Sequence, residues 1–437
     1  ELSNATDELF FRNSYAGLLG LSERMSRVEA QDSNGSPVKV DKRAPGEFKA
    51  ARKVARFSYD VDLTAPTRAE NMSHVSWLSA EHGLLMPADL LPRPPRNAAN
   101  FAEVQVALSL PDGWTTTTNI EESPSRQFST GDPDTAVFLI GPALRREKER
   151  PGPGRLVVTT SGKWPFSYSQ LQSVANRIIT EYSAVTGSKM KWESFLMLVS
   201  LPGDLPPQRW TAETRGNAVV LLLGNRASRK QLLTRIAILL THELFHLWVP
   251  NSLKLAGDYD WFFEGFTLYQ ALLTDMRLGL ISFDDYLETI GRVYQSYLGA
   301  ADRDRLSLLE ASERRWTTSP SLVYDKGMLV AFLYDLKLRQ ASDCQSSVSG
   351  VYRDLFLWQP TGHENANETI IRLLSKPVGM DGFIKDSVTL RGGVDFKESF
   401  SKYGLEVKPG DSRSRLSVSN DLNQAQRKLL RCLGYKN

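Results

Sequence analysis

The sequence predicts an α+β multidomain protein: a β-rich amino-terminal domain followed by a mainly α-helical one. Three observations predict it. The chain has 437 residues, more than one hydrophobic core usually serves. Over about 48–158 its apolar residues fall in short alternating runs between Pro, Gly, Asn and Asp clusters, the pattern of antiparallel strands and turns. After about Ser161 the apolar spacing becomes helical. The expected divisions are a β-rich domain over 1–162, a helical domain over 163–408 and a carboxy-terminal tail over 409–437.

In chain order, "ARFSYDVDL", "FAEVQVALSL", "TAVFLIG" and "RLVVTT" read as strands. Between the last two, 144–155 ("LRREKERPGPGR") mixes charges of both signs with Pro-Gly repeats, which suits a solvated hairpin or connection. "SQLQSVANRIITEYSAVTG" is amphipathic and stops on Gly187, a helix with a glycine past its end. Two strands, "SFLMLVSL" and "NAVVLLLG", come next. Ser228, with Gln231 three residues on, signals a capped helix start. Pro250 should end that helix, because the residue before a proline is pushed out of the helical region. A further helix is expected over 261–278, with Asp260 as cap and Gly279 beyond it. Another starts after Ser282, and "YDKGMLVAFLYDLKLRQ" and "ANETIIRLLSK" are also helical in pattern.

Composition narrows the function classes. Apolar residues make up 41% and charged residues 24%, which is ordinary for a folded chain and excludes general disorder. With 53 basic against 50 acidic residues the formal charge is +3, too small a field to draw nucleic acid or anionic membrane onto the whole chain. No apolar run approaches the roughly 20 residues of a membrane-spanning helix. Partners therefore have to be chosen by local sites, and no nucleic-acid partner and no integral membrane segment is expected. Cys344 and Cys432 leave two possibilities open, one disulfide or two buried thiols. The chain begins without Met or a signal segment, as a mature or trimmed form would. Location stays open, with a secreted or periplasmic setting favoured over the cytoplasm, and so does the oligomeric state.

Chemistry concentrates in "THELFHLW" at 241–248. Histidines four apart on a helix share a face and can bind one zinc ion from a rigid support. His242 and His246 have that spacing. Glu243, beside the first, can reach a zinc-activated water as general base. A catalytic zinc takes three protein ligands and keeps one position open. Glu264 in "WFFEGFT", 18 positions past His246, supplies the third if the chain turns back between the two helices. Trp261, Phe262, Phe263 and Phe266 would bury it, and a buried carboxylate without a partner is costly. His74, His82 and His363 lack a ligand partner at helical spacing and are read as ordinary solvent-facing or satisfied histidines.

His242-Glu243-x-x-His246, 17 intervening residues and Glu264 in "EGFTLY" resemble the gluzincin, thermolysin-like metallopeptidases. With "LLEASERRW", "VYDKGMLVAFLYDLKLR" and "FKESFSKYGLEV", the chain resembles the glycyl aminopeptidase family over about residues 10–408. The resemblance implies a β-rich amino-terminal domain, a thermolysin-like catalytic domain and one zinc ion held by His242, His246 and Glu264. It further implies that Glu243 is general base and acid and that Tyr324, in "VYDKG", donates to the oxyanion. The substrate implied is a peptide. Family members often carry a carboxy-terminal PDZ domain, for which 409–437 is too short. The chain also reads as beginning inside the family's amino-terminal domain. The family has an acidic residue on the strand before the zinc helix, where this chain reads "VVLLLGNRAS".

The expected function is a zinc-dependent peptidase, an aminopeptidase. Two alternatives stand beside it: a zinc endopeptidase without an anchor for the substrate's ammonium group, and a non-catalytic zinc-containing peptide-binding protein. A serine hydrolase is set aside because no Gly-x-Ser-x-Gly elbow occurs.

Overall fold

The structure, a computed structural model, describes residues 2, 5–93, 103–123, 127–146, 154–190, 192–202, 205–206, 209–224, 226, 228–253, 255–316, 320–358, 360–392, 394–408 and 415–436. It divides into two compact units, one of residues 1–165 and 192–228, the other of 166–191 and 229–437. The chain thus crosses between units three times, and the expected boundary at 162/163 lies beside the first crossing. Most of the solvated connection read at 144–155 falls outside the described residues.

The first unit is built from strands. Thr6–Phe10, Glu47–Val54 and Val40–Ala44 form one antiparallel sheet, and Pro37–Val38, Met25–Gln31 and Arg56–Val61 another. In Arg56–Val61 every second residue is partly buried and its neighbours are exposed, the alternation expected of a strand with one wet face. Phe138–Gly141 lies inside a four-stranded antiparallel sheet. The short helix α1 (Pro87–Leu90) completes the unit's helices among the described residues.

The largest sheet departs from the antiparallel expectation. Leu156–Ser161, Ser194–Ser200 and Ala218–Leu223 pair in parallel. Ser194–Ser200 and Ala218–Leu223 are buried at every position, which is why they read as continuous apolar runs and not as alternating ones. Trp210–Arg215, which sequence reading passed over, joins antiparallel to Ala218–Leu223 as the edge strand. This strand carries an acid of its own, Glu213. Glu213 accepts from the Tyr15 hydroxyl, lies 2.7 Å from His74 Nδ1 and pairs with Arg215. His74 is therefore a satisfied histidine, whereas His82 is buried against the edge of Trp77 and His363 is exposed.

The second unit is helical: α2 (Tyr168–Thr186), α3 (Arg229–Phe245), α4 (Thr267–Arg277), α5 (Phe283–Gly299), α6 (Leu308–Glu313), α7 (Pro320–Ala341), α8 (Val348–Trp358), α9 (Ala366–Ser375), α10 (Asp381–Ile384), α11 (Phe396–Lys402) and α12 (Gln424–Leu433). Local sequence sets several of their ends. Ser167 and Ser282 each close a capping box, with Gln170 and Asp285. Gly187 and Gly279, at φ 67°, take the left-handed conformation past α2 and α4. Tyr182 of α2 stacks on Phe245 and meets Trp248 edge-on, with centroids 4.4 and 5.8 Å apart. This packing seats α3 against α2. After 408 the chain continues in order: Arg415–Val418 pairs with Leu405–Lys408, and Cys432 on α12 is disulfide-bonded to Cys344, just past α7.

Candidate metal centre

α3 starts at Arg229, directly after the expected cap, but it stops at Phe245, earlier than Pro250 would require. The amides of His246, Leu247 and Trp248 bond three residues back, to Glu243, Leu244 and Phe245. The end of α3 thus tightens into a 3₁₀-like turn, a common way to satisfy the last carbonyls. His242 and Glu243 ride the last α-helical turn and His246 the tighter one.

The second element also differs from a plain α-helix. Trp261–Phe266 is a turn of π-helix that runs into α4. Such turns recur at functional sites because the extra residue per turn re-aims a side chain. Asp260 has helical torsions and makes no cap bond. Its carboxylate pairs with Arg315 instead. The π turn lies directly on α7: a Cβ added at Gly265 would stand 2.5 Å from Gly327 Cα, and one at Gly327 would stand 2.7 Å from the Trp261 carbonyl. Only a glycine pair permits this approach. It brings Glu264 and Tyr324 to one place.

The three expected ligands converge. His242 Nε2 and His246 Nε2 are 3.1 Å apart, and each is 3.4 Å from Glu264 Oε2. Tetrahedral zinc with bonds of about 2.0–2.2 Å sets neighbouring ligand atoms roughly 3.3–3.5 Å apart. The ligand atoms are therefore spaced for one small cation. Glu264 Oε2 is buried and has no hydrogen-bond partner among the described residues, an orphan that bare protein would not retain without cost. His246 Nδ1 lies 2.8 Å from the Val249 carbonyl. A carbonyl only accepts, so Nδ1 carries the hydrogen and Nε2 of the neutral ring is left to bind metal.

Electrostatics agree. Burial would lower His246, yet the charge of Glu264 overrides it and raises the imidazole to about 9. Burial would raise Glu264, but the positive charges of His246 and Arg315 hold it well below the usual carboxylate range. A proton on His246 and the Arg315 guanidinium offset the buried Glu264 charge, and a metal cation would displace that proton. Apolar bulk alone does not surround Glu264, as sequence reading expected. Trp261, Phe262 and Phe266 are buried beside it, while Arg315 Nη2 donates to its Oε1 at 2.8 Å. Arg315 also donates to the Tyr324 hydroxyl oxygen. Sequence reading gave this arginine no role.

The Peptidase M61 N-terminal domain model matches residues 17–137, and the M61 glycyl aminopeptidase model matches residues 235–330. The second match spans the HExxH helix, the π turn with Glu264, and Tyr324. The chain belongs to the glycyl aminopeptidase family of gluzincins. No curated protein matches this chain by sequence. Among solved structures, an aminopeptidase N family protein from Idiomarina loihiensis is 19% identical with a TM-score of 0.74, covering 93% of this chain and 75% of its own. An M1 zinc metallopeptidase variant from Deinococcus radiodurans, bound to a Tyr-Ser-Ala substrate, is 15% identical with a TM-score of 0.54, covering 90% and 89%. These likenesses give the family member the aminopeptidase fold, β-rich strands ahead of a helical unit.

Proposed function

We propose that the chain is a zinc-dependent aminopeptidase in which His242, His246 and Glu264 hold the metal and Glu243 and Tyr324 carry the proton and hydrogen-bond chemistry. The observation that carries this reading is the convergence of three ligand atoms, one of them a buried carboxylate oxygen with no hydrogen-bond partner among the described residues. Zinc in such a site supplies Lewis acidity to a water and to the scissile carbonyl. Glu243, buried beside the first ligand, takes the proton of the attacking water and passes it to the departing amine. Tyr324 donates its hydrogen bond to the carbonyl oxygen as negative charge develops there. Burial, then the negative charge of Glu264, pushes the Tyr324 hydroxyl well above its ordinary value. It therefore stays protonated, as a donor must.

A peptide substrate agrees with the family and with the tripeptide bound by the Deinococcus relative. The arrangement of Glu243 and Tyr324 around the ligands favours turnover over a merely structural metal. A location outside the cytoplasm belongs to the same reading, because the Cys344–Cys432 bond persists in oxidising compartments.

The test is hydrolysis of aminoacyl and peptide substrates, free and N-acetylated, with and without chelator. Activity on free amino termini that is lost on acetylation and on chelation supports the proposal. Equal cleavage of acetylated peptides makes the protein an endopeptidase, and chelator-insensitive cleavage removes zinc from the mechanism.

A further inference from the structure

Arg315 follows α6 and is 8% exposed, although a guanidinium is costly to bury without partners. It has three. Nη1 meets Asp260, and Nη2 meets both Glu264 Oε1 at 2.8 Å and the Tyr324 hydroxyl oxygen. The guanidinium carbon also stands 4.3 Å from the centroid of the Trp316 ring, within cation–π range. One side chain thus touches the third metal ligand, the oxyanion donor and the residue that opens the π turn.

We propose that Arg315 is a positioning residue of the peptidase site, fixing which oxygen of Glu264 faces the two imidazoles and which way the Tyr324 hydroxyl donates. The inference rests on the zinc-peptidase reading and deepens it. Its first half follows from the carboxylate. With Oε1 taken by Nη2, Oε2 is the oxygen left 3.4 Å from both Nε2 atoms. The last torsion of a free glutamate is broad, so a ligand without this bond would exchange its oxygens and reach for the metal with both. Arg315 leaves one oxygen for the metal and keeps the remaining coordination position open for water and substrate.

The second half follows from the donor inventory. A guanidinium has only N–H donors and no acceptor. In its contact with Tyr324 the phenol oxygen must accept, so the one hydroxyl hydrogen points away from Arg315 toward another acceptor. In the reaction that acceptor is the developing oxyanion. A lysine at this position would keep the charge but could not span Asp260, Glu264 and Tyr324 as the planar fork does.

The test compares Arg315→Lys with the parent, each also carrying Tyr324→Phe, in the metal-loaded full chain. Arg315→Gln serves as a second variant if the lysine chain folds in poor yield, with the melting temperature in chelator reporting folding separately. Expected is a kcat lowered about 100-fold with KM moved less than about threefold, because misplacement of groups at the reacting centre carries a cost of that size. In the Tyr324→Phe background the same change should lower kcat by a clearly smaller factor than in the parent, since coupled residues are non-additive and only the Glu264 part of the effect remains. Zinc release to a chelator should accelerate about 10-fold or more, and the visible spectrum of the cobalt-substituted chain should shift.

Equal effects of Arg315→Lys with and without Tyr324, together with unchanged zinc release and cobalt spectrum, would make Arg315 a structural ion pair and overturn the proposal. A parent chain that takes up neither zinc nor cobalt would overturn the zinc-peptidase reading itself, and the role of Arg315 with it.

Discussion

At the scale of single residues, the centre separates holding a metal from using it. His242, His246 and Glu264 point ligand atoms at one spot, whereas Glu243, next to His242 in the chain, is not among the three. Glu243→Gln should therefore bind as much zinc as the parent, by elemental analysis, while kcat falls by a factor of about 10²–10⁴, the range of a lost general base. A variant that keeps parental turnover would remove Glu243 from the chemistry. Glu264→Ala should show the converse, losing zinc on dialysis against chelator while circular dichroism reports a folded chain. The three converging side chains were legible because HExxH and the distance to Glu264 are local patterns tied to chemistry, whereas Tyr324 was singled out only through the family resemblance. Arg315 was not legible. In "SERRW" it looks like one charge of a solvated run, and only the tertiary approach of the π turn and α7 shows that it is buried.

At the scale of elements, the approach of the π turn to α7 decides the spacing of Glu264 and Tyr324, the proposed oxyanion donor. Gly327→Ala puts a methyl group into the Trp261 carbonyl and should destabilise by about 1–3 kcal/mol. By shifting Tyr324 it should cost activity about 100-fold, even in protein that is fully folded by thermal melting. Parental kcat in that variant would show that the close approach is not needed. Periodicity predicted a helix here, but the sequence has no marker for a π turn, nor for α3 ending in a 3₁₀-like turn.

α3 is anchored to α4 by another buried pair. Thr241 Oγ1 is 2.6 Å from the Ala237 carbonyl and 2.6 Å from Asp275 Oδ1. A hydroxyl has one hydrogen and the carbonyl can only accept, so Asp275 donates to Thr241 when protonated. Burial raises Asp275 from 3.8 to about 7, which outweighs the lowering by Thr241. A folded pKa above the unfolded one gives stability that is full below about pH 4 and lost as pH rises through 7. Asp275→Asn, neutral at every pH, should thus unfold at higher denaturant than the parent at pH 8, by up to a few kcal/mol, and differ little at about pH 4. A variant less stable than the parent at pH 8 would refute the buried acid.

At the scale of the whole molecule, sequence reading recovered the order of a β-rich unit and then a helical one, because periods of 2 and 3.6 are local properties. The pairing of strands was not recoverable in the same way. Leu156–Ser161 looked like the last strand of an antiparallel domain, yet its partner lies across α2 in the chain. Trp210–Arg215, with a Trp, a Glu and an Arg in six residues, lacks the apolar run that marked its neighbours, so the strand escaped notice. The disulfide was undecided for a related reason, since two cysteines 88 residues apart meet only through folding. Closing a loop of that length restricts the unfolded chain by about 4–5 kcal/mol in the entropic account. Reduction should accordingly lower the melting temperature of the helical unit by several degrees, and an unchanged transition would show that α12 is held by packing alone.

All of these scales serve one claim, that two imidazoles and one carboxylate enclose a single cation. Anomalous diffraction at the zinc edge from crystals of the zinc-loaded protein tests it most directly. The account predicts one peak within about 2.0–2.2 Å of His242 Nε2, His246 Nε2 and Glu264 Oε2. A peak elsewhere, or none at this site in protein that holds zinc, would contradict it.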